Sequence, residues 1–131
     1  MKARNITVYV VEDSPIIRNL IIELIDSIGA TVVGHADTAS AAIADIAALR
    51  PDAVTIDLLL KAGSGFDVLE AIAINEGTPP LRIVLTNYLT DAHREAAQGM
   101  DADYFFDKAA QIREMLLVLA SLGDARTAIA A

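Results

Sequence analysis

Ala53-Val54-Thr55-Ile56-Asp57 decides the fold: an apolar, β-branched run that stops at a carboxylate. Such a run reads as a strand buried on both faces of a sheet. A second run, Ile6-Thr7-Val8-Tyr9-Val10-Val11, ends in Glu12-Asp13. Two strands that each finish in carboxylates bring those groups to one edge of one sheet. The resulting nest of negative charge repels itself unless a hard divalent cation enters it. Oxygen ligands of this kind suit Mg²⁺, which binds one or two carboxylates and keeps several waters.

Helical and extended patterns alternate around these two runs. Residues 6–11 form the first predicted strand. Ser14-Pro15 opens a helix, with Ser14 as N-cap and Pro15 at the first helical position. Ile16, Ile17, Leu20, Ile21, Leu24, Ile25 and Ile28 recur at helical spacing up to Gly29. Thr31–Ala36 reads as a strand, and Asp37 or Thr38 caps a helix over Ala39–Leu49. Ala53–Ile56 is the third strand, 58–64 a loop and Gly65–Ile74 a helix. Residues 81–85, 91–98, 103–106 and 112–122 follow as strand, helix, strand and helix. Five strand–helix units with short connections predict a parallel sheet with helices on both faces. The expected organisation is one domain over residues 1–122 and a frayed tail over 123–131, with no output domain.

Composition narrows the function. Hydrophobic residues make up 54% of the 131, which supports a full core and argues against disorder. The net charge of −8 and pI of about 4.5 disfavour direct nucleic-acid binding, which relies on Lys and Arg. With no Cys, disulfides, thiolate metal sites and Cys nucleophiles are excluded. Mean hydropathy is +0.45, yet no apolar stretch approaches a membrane span, so a cytoplasmic protein without membrane contact is expected. His35 and His93 lie on unrelated segments, which speaks against a histidine pair.

In open parallel sheets, ligands bind at the carboxyl ends of the strands, near the point where strand order reverses. Glu12, Asp13, Asp57, Thr86 and Lys108 all fall at such ends, on four different strands. A carboxylate that accepts a phosphoryl group needs a cation to bridge the incoming charge and two further donors for the equatorial oxygens. Asp57 suits the nucleophile, and Glu12 and Asp13 suit the metal. Thr86 supplies a hydroxyl, Lys108 an ammonium, and backbone N–H groups after Asp57 and Thr86 complete the cradle. Each residue alone has an ordinary explanation as a turn, cap or surface group. Their joint placement does not.

The chain resembles the response-regulator receiver domains of two-component and phosphorelay signalling, of the single-domain chemotaxis-regulator kind. The resemblance rests on Val10-Val11-Glu12-Asp13-Ser14, Thr55-Ile56-Asp57-Leu58 with Gly65 downstream, Val84-Leu85-Thr86-Asn87, and Phe105-Phe106-Asp107-Lys108. It implies a flavodoxin-like sheet with strand order 2-1-3-4-5. It also implies Asp57 as phospho-acceptor for the phosphohistidine of a sensor kinase or phosphotransfer protein. Asp13 and Asp57 then resemble direct Mg²⁺ ligands, joined by the backbone carbonyl of Leu59, with Glu12 acting through water. Thr86 and its neighbour Asn87, Lys108, and the switch aromatic Phe105 form the phosphate-binding and switch set. The implied partners are that donor, a downstream protein target, and a second copy docked through the fourth helix, fifth strand and fifth helix.

Three positions depart from the family pattern. Glu12 is longer than the usual Asp, Lys61 stands where Pro is common, and Ala109 follows Lys108 where Pro is common, so the last strand–helix loop is expected to differ in shape. The implied switch draws the Thr86 hydroxyl inward, frees space for Phe105, and changes a surface that includes His93, Arg94, Gln98 and Tyr104. Leu59 and Tyr88, each two residues past a site residue, are expected to hinder water and prolong the phosphoryl state. Two other classes remain in view. A phospho-independent pseudo-receiver would be a pure interaction module. An aspartate-nucleophile phosphatase would carry a second acid where Leu59 stands.

Overall fold

The computed structural model describes residues 1–87 and 90–130, with side chains through 126. Five strands, β1 (Thr7–Val11), β2 (Thr31–Ala36), β3 (Ala53–Ile56), β4 (Leu81–Thr86) and β5 (Tyr104–Asp107), alternate with five helices. The helices are α1 (Pro15–Ser27), α2 (Ala39–Leu49), α3 (Gly65–Ile74), α4 (Asp91–Gly99) and α5 (Ile112–Ala130). All strands pair in parallel, in the order β2-β1-β3-β4-β5. This is the flavodoxin-like order that the motifs imply. Strand order reverses between β1 and β3, whose carboxyl ends carry Glu12-Asp13 and Asp57.

Alternation along the strands divides the core in two. Val8 and Val10 of β1 join Ile83 and Leu85 of β4 beneath α1 and α5, where Ile21, Ile25, Met115 and Leu119 are buried. Tyr9 and Val11 face the other way with Val54, Ile56 and Val84, beneath α2, α3 and α4. Both faces of the sheet are covered, which accounts for the near-continuous apolar strands.

The helix starts follow capping chemistry. Ser14 accepts from the Ile17 N–H, with Pro15 next in the chain, and Thr38 accepts from the Ala41 N–H. Ser64 and Asp67 exchange bonds in a reciprocal box that starts α3. The loop before α3 is fastened as well. Thr38 pairs with Ala62 and Leu59 with Ser64 in isolated bridges, and the Lys61 N–H donates to the Asp37 carbonyl at 3.1 Å.

β1 starts at Thr7, β4 ends at Thr86 and α4 ends at Gly99, each one residue from expectation, and two further differences have a local cause. β5 lies one residue later than residues 103–106, because Asp107 pairs with Thr86 while the Asp103 carboxylate caps the Arg82 N–H. The last helix runs to Ala130 instead of fraying after Leu122. Its extension is held down by packing. Gly123 lies against the Ala3 backbone, where a Cβ would come within 2.8 Å of the Ala3 Cα, and Arg126 Nη2 reaches Asp52 Oδ1 at 2.9 Å. Among the described residues, no helix is long and apolar enough to cross a membrane.

Tyr9 is wholly buried beneath a β2 irregularity that pairs it with Gly34, and its hydroxyl donates to Asp45 Oδ2 at 2.6 Å. Burial, then the bond to Asp45 and its charge, push the phenol well above its ordinary value of 10.0. The folded state therefore holds this proton more tightly than the unfolded state. The stability it contributes is present below the unfolded value and lost as pH rises through the folded one. Tyr9→Phe is expected to cost about 1 kcal/mol at neutral pH. It should also flatten the decline in stability above about pH 10. Urea unfolding of both proteins across that range checks both statements; parallel declines would refute the assignment.

Candidate phosphoryl-acceptor site

The site is assembled from four strand ends. Asp57 follows β3 and is 4% exposed; Glu12 follows β1 and is 1% exposed. Thr86 closes β4, and Lys108 follows β5 at 9% exposed. Burial of this many polar groups demands mutual satisfaction, and the bonds meet that demand. Lys108 Nζ donates to Asp57 Oδ2 and Glu12 Oε1, both at 2.7 Å. The Thr86 hydroxyl donates to Asp57 Oδ1 at 2.9 Å, and the Leu59 N–H donates to the same oxygen at 3.3 Å. Glu12 Oε2 accepts the Ser14 N–H at 3.0 Å, which ties the cluster to the start of α1.

Electrostatics reflect the crowding. Burial raises the Glu12 carboxyl above its ordinary value, opposed by the Lys108 and Ser14 bonds, and the Asp57 charge raises it further. Burial alone would push the Lys108 ammonium down, but its bonds to Asp57 and Glu12 outweigh that and hold it above its ordinary value. Glu12, Asp13 and Asp57 each offer a ligand oxygen, all within 4.8 Å of one another. Lys108 supplies the cation bonded to two of them and leaves most of their charge unbalanced. A hard divalent cation fits that donor set.

The sequence-predicted residues divide into three groups. Glu12, Asp57, Thr86 and Lys108 form one bonded network, with Asp13 within metal-ligand reach. Asn87 is exposed at the end of β4, while Leu59 is half exposed beside Asp57. Phe105 is half-buried against the α2–α4 core, with the Arg94 guanidinium 5.4 Å over its ring. Tyr88, expected beside the cradle, lies outside the described residues. His93 lies 5.9 Å from the Phe66 ring and is half-buried, and Arg94, Gln98 and Tyr104 are exposed.

One expectation needs correction. The inward position of the Thr86 hydroxyl does not await a phosphoryl group, because the Asp57 carboxylate already accepts it. Two further features emerge only in the structure. Glu12 serves Lys108 and the Ser14 N–H besides any metal, which its longer reach permits. Asp107 and Gln111 shape the loop that carries Lys108; the signal was an Asp followed four residues later by Gln, ahead of an apolar helix.

Comparison with known proteins bears on this geometry. The sequence model of the response regulator receiver domain matches residues 8–120. The chain is 33% identical over 95 residues to protein-glutamate methylesterase/protein-glutamine glutaminase 3 of Hahella chejuensis, covering 72% of this chain and 27% of that protein. It is 31% identical over 118 residues to the probable transcriptional regulatory protein TcrX of Mycobacterium tuberculosis, covering 89% of this chain and 49% of that one. The chain thus spans half or less of these curated relatives. Among solved structures, the response regulator domain of Thermotoga maritima CheB superposes with a TM-score of 0.77 at 25% identity, over 92% of this chain and 94% of that one. The signal receiver domain of NarL from Mycobacterium tuberculosis gives 0.81 at 25% identity, over 91% and 96%.

Proposed function

This chain belongs to the response regulator receiver domain family, and we propose that it accepts a phosphoryl group from a partner's phosphohistidine onto Asp57. The observation that supports this reading is the two-sided hold on the Asp57 carboxylate, with Lys108 on one oxygen and Thr86 on the other. A lone pair of an Asp57 oxygen attacks phosphorus as the phosphorus–nitrogen bond to the donor imidazole breaks. The imidazole, protonated on its other ring nitrogen, leaves with that electron pair and is neutral once the bond has parted. Lys108 and the Thr86 hydroxyl turn from the carboxylate toward the new phosphoryl oxygens, and the Leu59 N–H assists. Glu12, Asp13 and Asp57 would hold Mg²⁺, with the Leu59 carbonyl. When bound, the ion supplies neutralisation of the charge that the phosphoryl group brings.

The signal in this reading is a surface change. Phosphorylation fixes Thr86 and Lys108 on the phosphoryl oxygens, and Phe105 with Arg94 above it adjusts behind them. A partner then reads the α4–β5–α5 face, where Tyr104 and Leu117 are exposed. That partner is a downstream protein or a second copy of the chain, and the donor is a sensor kinase or phosphotransfer protein. We place the protein in the cytoplasm, as an acceptor and not as an enzyme with a separate substrate. Leu59 stands where a phosphatase of the aspartate class needs its second acid.

Incubation with acetyl phosphate and Mg²⁺, followed by intact-mass measurement, tests the reading. One phosphoryl adduct is expected, and none when a chelator is present from the start. A folded protein that takes none would favour the pseudo-receiver.

Half-exposed Leu59 also bears on the lifetime of the adduct, since an apolar side chain there obstructs water. The phosphorylated protein is expected to persist for minutes or longer. Leu59→Asn, which can orient a water, should shorten that by about fivefold or more. Loss of the wild-type adduct within seconds would sink this idea.

A further inference from the structure

Lys108 reaches two buried carboxylates, so its aim matters, and the loop that carries it is closely bonded. Asp107 Oδ1 accepts the N–H groups of Ala109 at 2.7 Å and Ala110 at 3.1 Å. Its own N–H donates to Gln111 Oε1 at 2.8 Å, and its carbonyl accepts the Gln111 N–H at 2.8 Å. Lys108 sits inside this five-residue clasp, and its N–H donates to the Thr86 carbonyl at 3.0 Å. The Lys108 backbone is therefore fixed on one side by β4 and on the other by the Asp107 turn. The bond from Ala109 is open only to a residue with an N–H, which a proline lacks.

We infer that Asp107, backed by Gln111, is a positioning residue that aims the Lys108 ammonium at Asp57 and Glu12. The inference rests on the phosphoryl-acceptor reading for its consequence, though the geometry stands without it. The Asp107 carboxylate touches neither Asp57 nor Glu12 among its bonds; it acts through the turn. A side-chain oxygen that accepts backbone N–H groups one and two residues beyond its neighbour makes an Asx-type turn, and Asn makes the same turn. Loss of that oxygen frees the Ala109 N–H to water, leaves the Ala110 N–H only its 3.3 Å bond to the Asp107 carbonyl, and lets Lys108 drift. A misplacement of about 1 Å at a phosphoryl-transfer site lowers rate steeply.

The experiment compares wild type, Asp107→Ala, Asp107→Asn and Gln111→Ala, each with and without Lys108→Ala. Two quantities are read: the rate of adduct formation with acetyl phosphate and Mg²⁺, and the Lys108 ammonium signal by NMR, identified by its absence in Lys108→Ala. Asp107→Ala should slow the adduct by about tenfold and broaden or shift the ammonium signal. Asp107→Asn should restore most of both. With Lys108 already removed, Asp107→Ala should change nothing further. Equal slowing in both backgrounds, or an unaltered rate and signal in a folded Asp107→Ala, would overturn the inference. If Asp107→Ala fails to fold, Gln111→Ala, which removes one bond of the clasp, decides by the same criteria. A wild type that forms no adduct overturns the phosphoryl-acceptor reading alone, and the ammonium signal then decides the role of Asp107 by itself.

Discussion

Asp57→Asn is expected to take up no phosphoryl group from acetyl phosphate under conditions that fully modify the wild type. The amide keeps the shape of the side chain but offers no anionic oxygen. The Lys108 and Thr86 bonds to position 57 lose their charge-assisted partner. Affinity for Mg²⁺ should fall by about tenfold or more, since one of three clustered carboxylates is neutralised. Intact mass reads the first effect. The rise in thermal midpoint with added Mg²⁺ reads the second, because a ligand that binds only the folded state stabilises it by mass action. An adduct of undiminished yield on Asp57→Asn would remove Asp57 from its proposed role and direct the search to another nucleophile.

The second large effect concerns the scaffold. Gly65→Ala is expected to destabilise the protein by about 3 kcal/mol, toward the upper end for an overpacked site. Gly65 is the first residue of α3, and its N–H donates to the Leu58 carbonyl at 3.0 Å. A Cβ at this position would collide with the Asp57 carbonyl oxygen. It would also lie 2.9 Å from Ile56 Cγ2 and from Leu58 Cα. These are backbone and packed core atoms, so relief requires the acceptor strand end itself to move. Phosphoryl uptake should therefore decline together with stability in Gly65→Ala. A denaturation midpoint equal to that of wild type would show that the β3–α3 junction is more yielding than its contacts imply.

Much of this was legible in the residues. The apolar β3 run stops at the Asp57 carboxylate, and Pro15 and Pro51 punctuate elements through their fixed φ. The expected bounds of β2, α2, β3 and α3 coincide with the structure, since each has a cap or breaker at both ends. The end of α5 was not legible, because its order comes from Ala3 and Asp52, remote in sequence from Gly123 and Arg126. Site residue types were readable from strand-end placement. Their bonding was not, since the choice of Glu12 by Lys108 depends on side-chain reach and burial. Tyr9 read as one more strand aromatic; its bond to Asp45 crosses 36 positions.

The short bridges from Thr38 to Ala62 and from Leu59 to Ser64 make the segment after Asp57 a miniature sheet margin and not a lid. A lid must lose motional freedom each time a ligand arrives, and each arrival is weakened by that loss. Here the freedom is surrendered once, when the chain folds. Under the proposed function, an incoming ion or phosphoryl group would meet a rim already set, and the response of the site would follow the chemistry of encounter and not the closing of a loop.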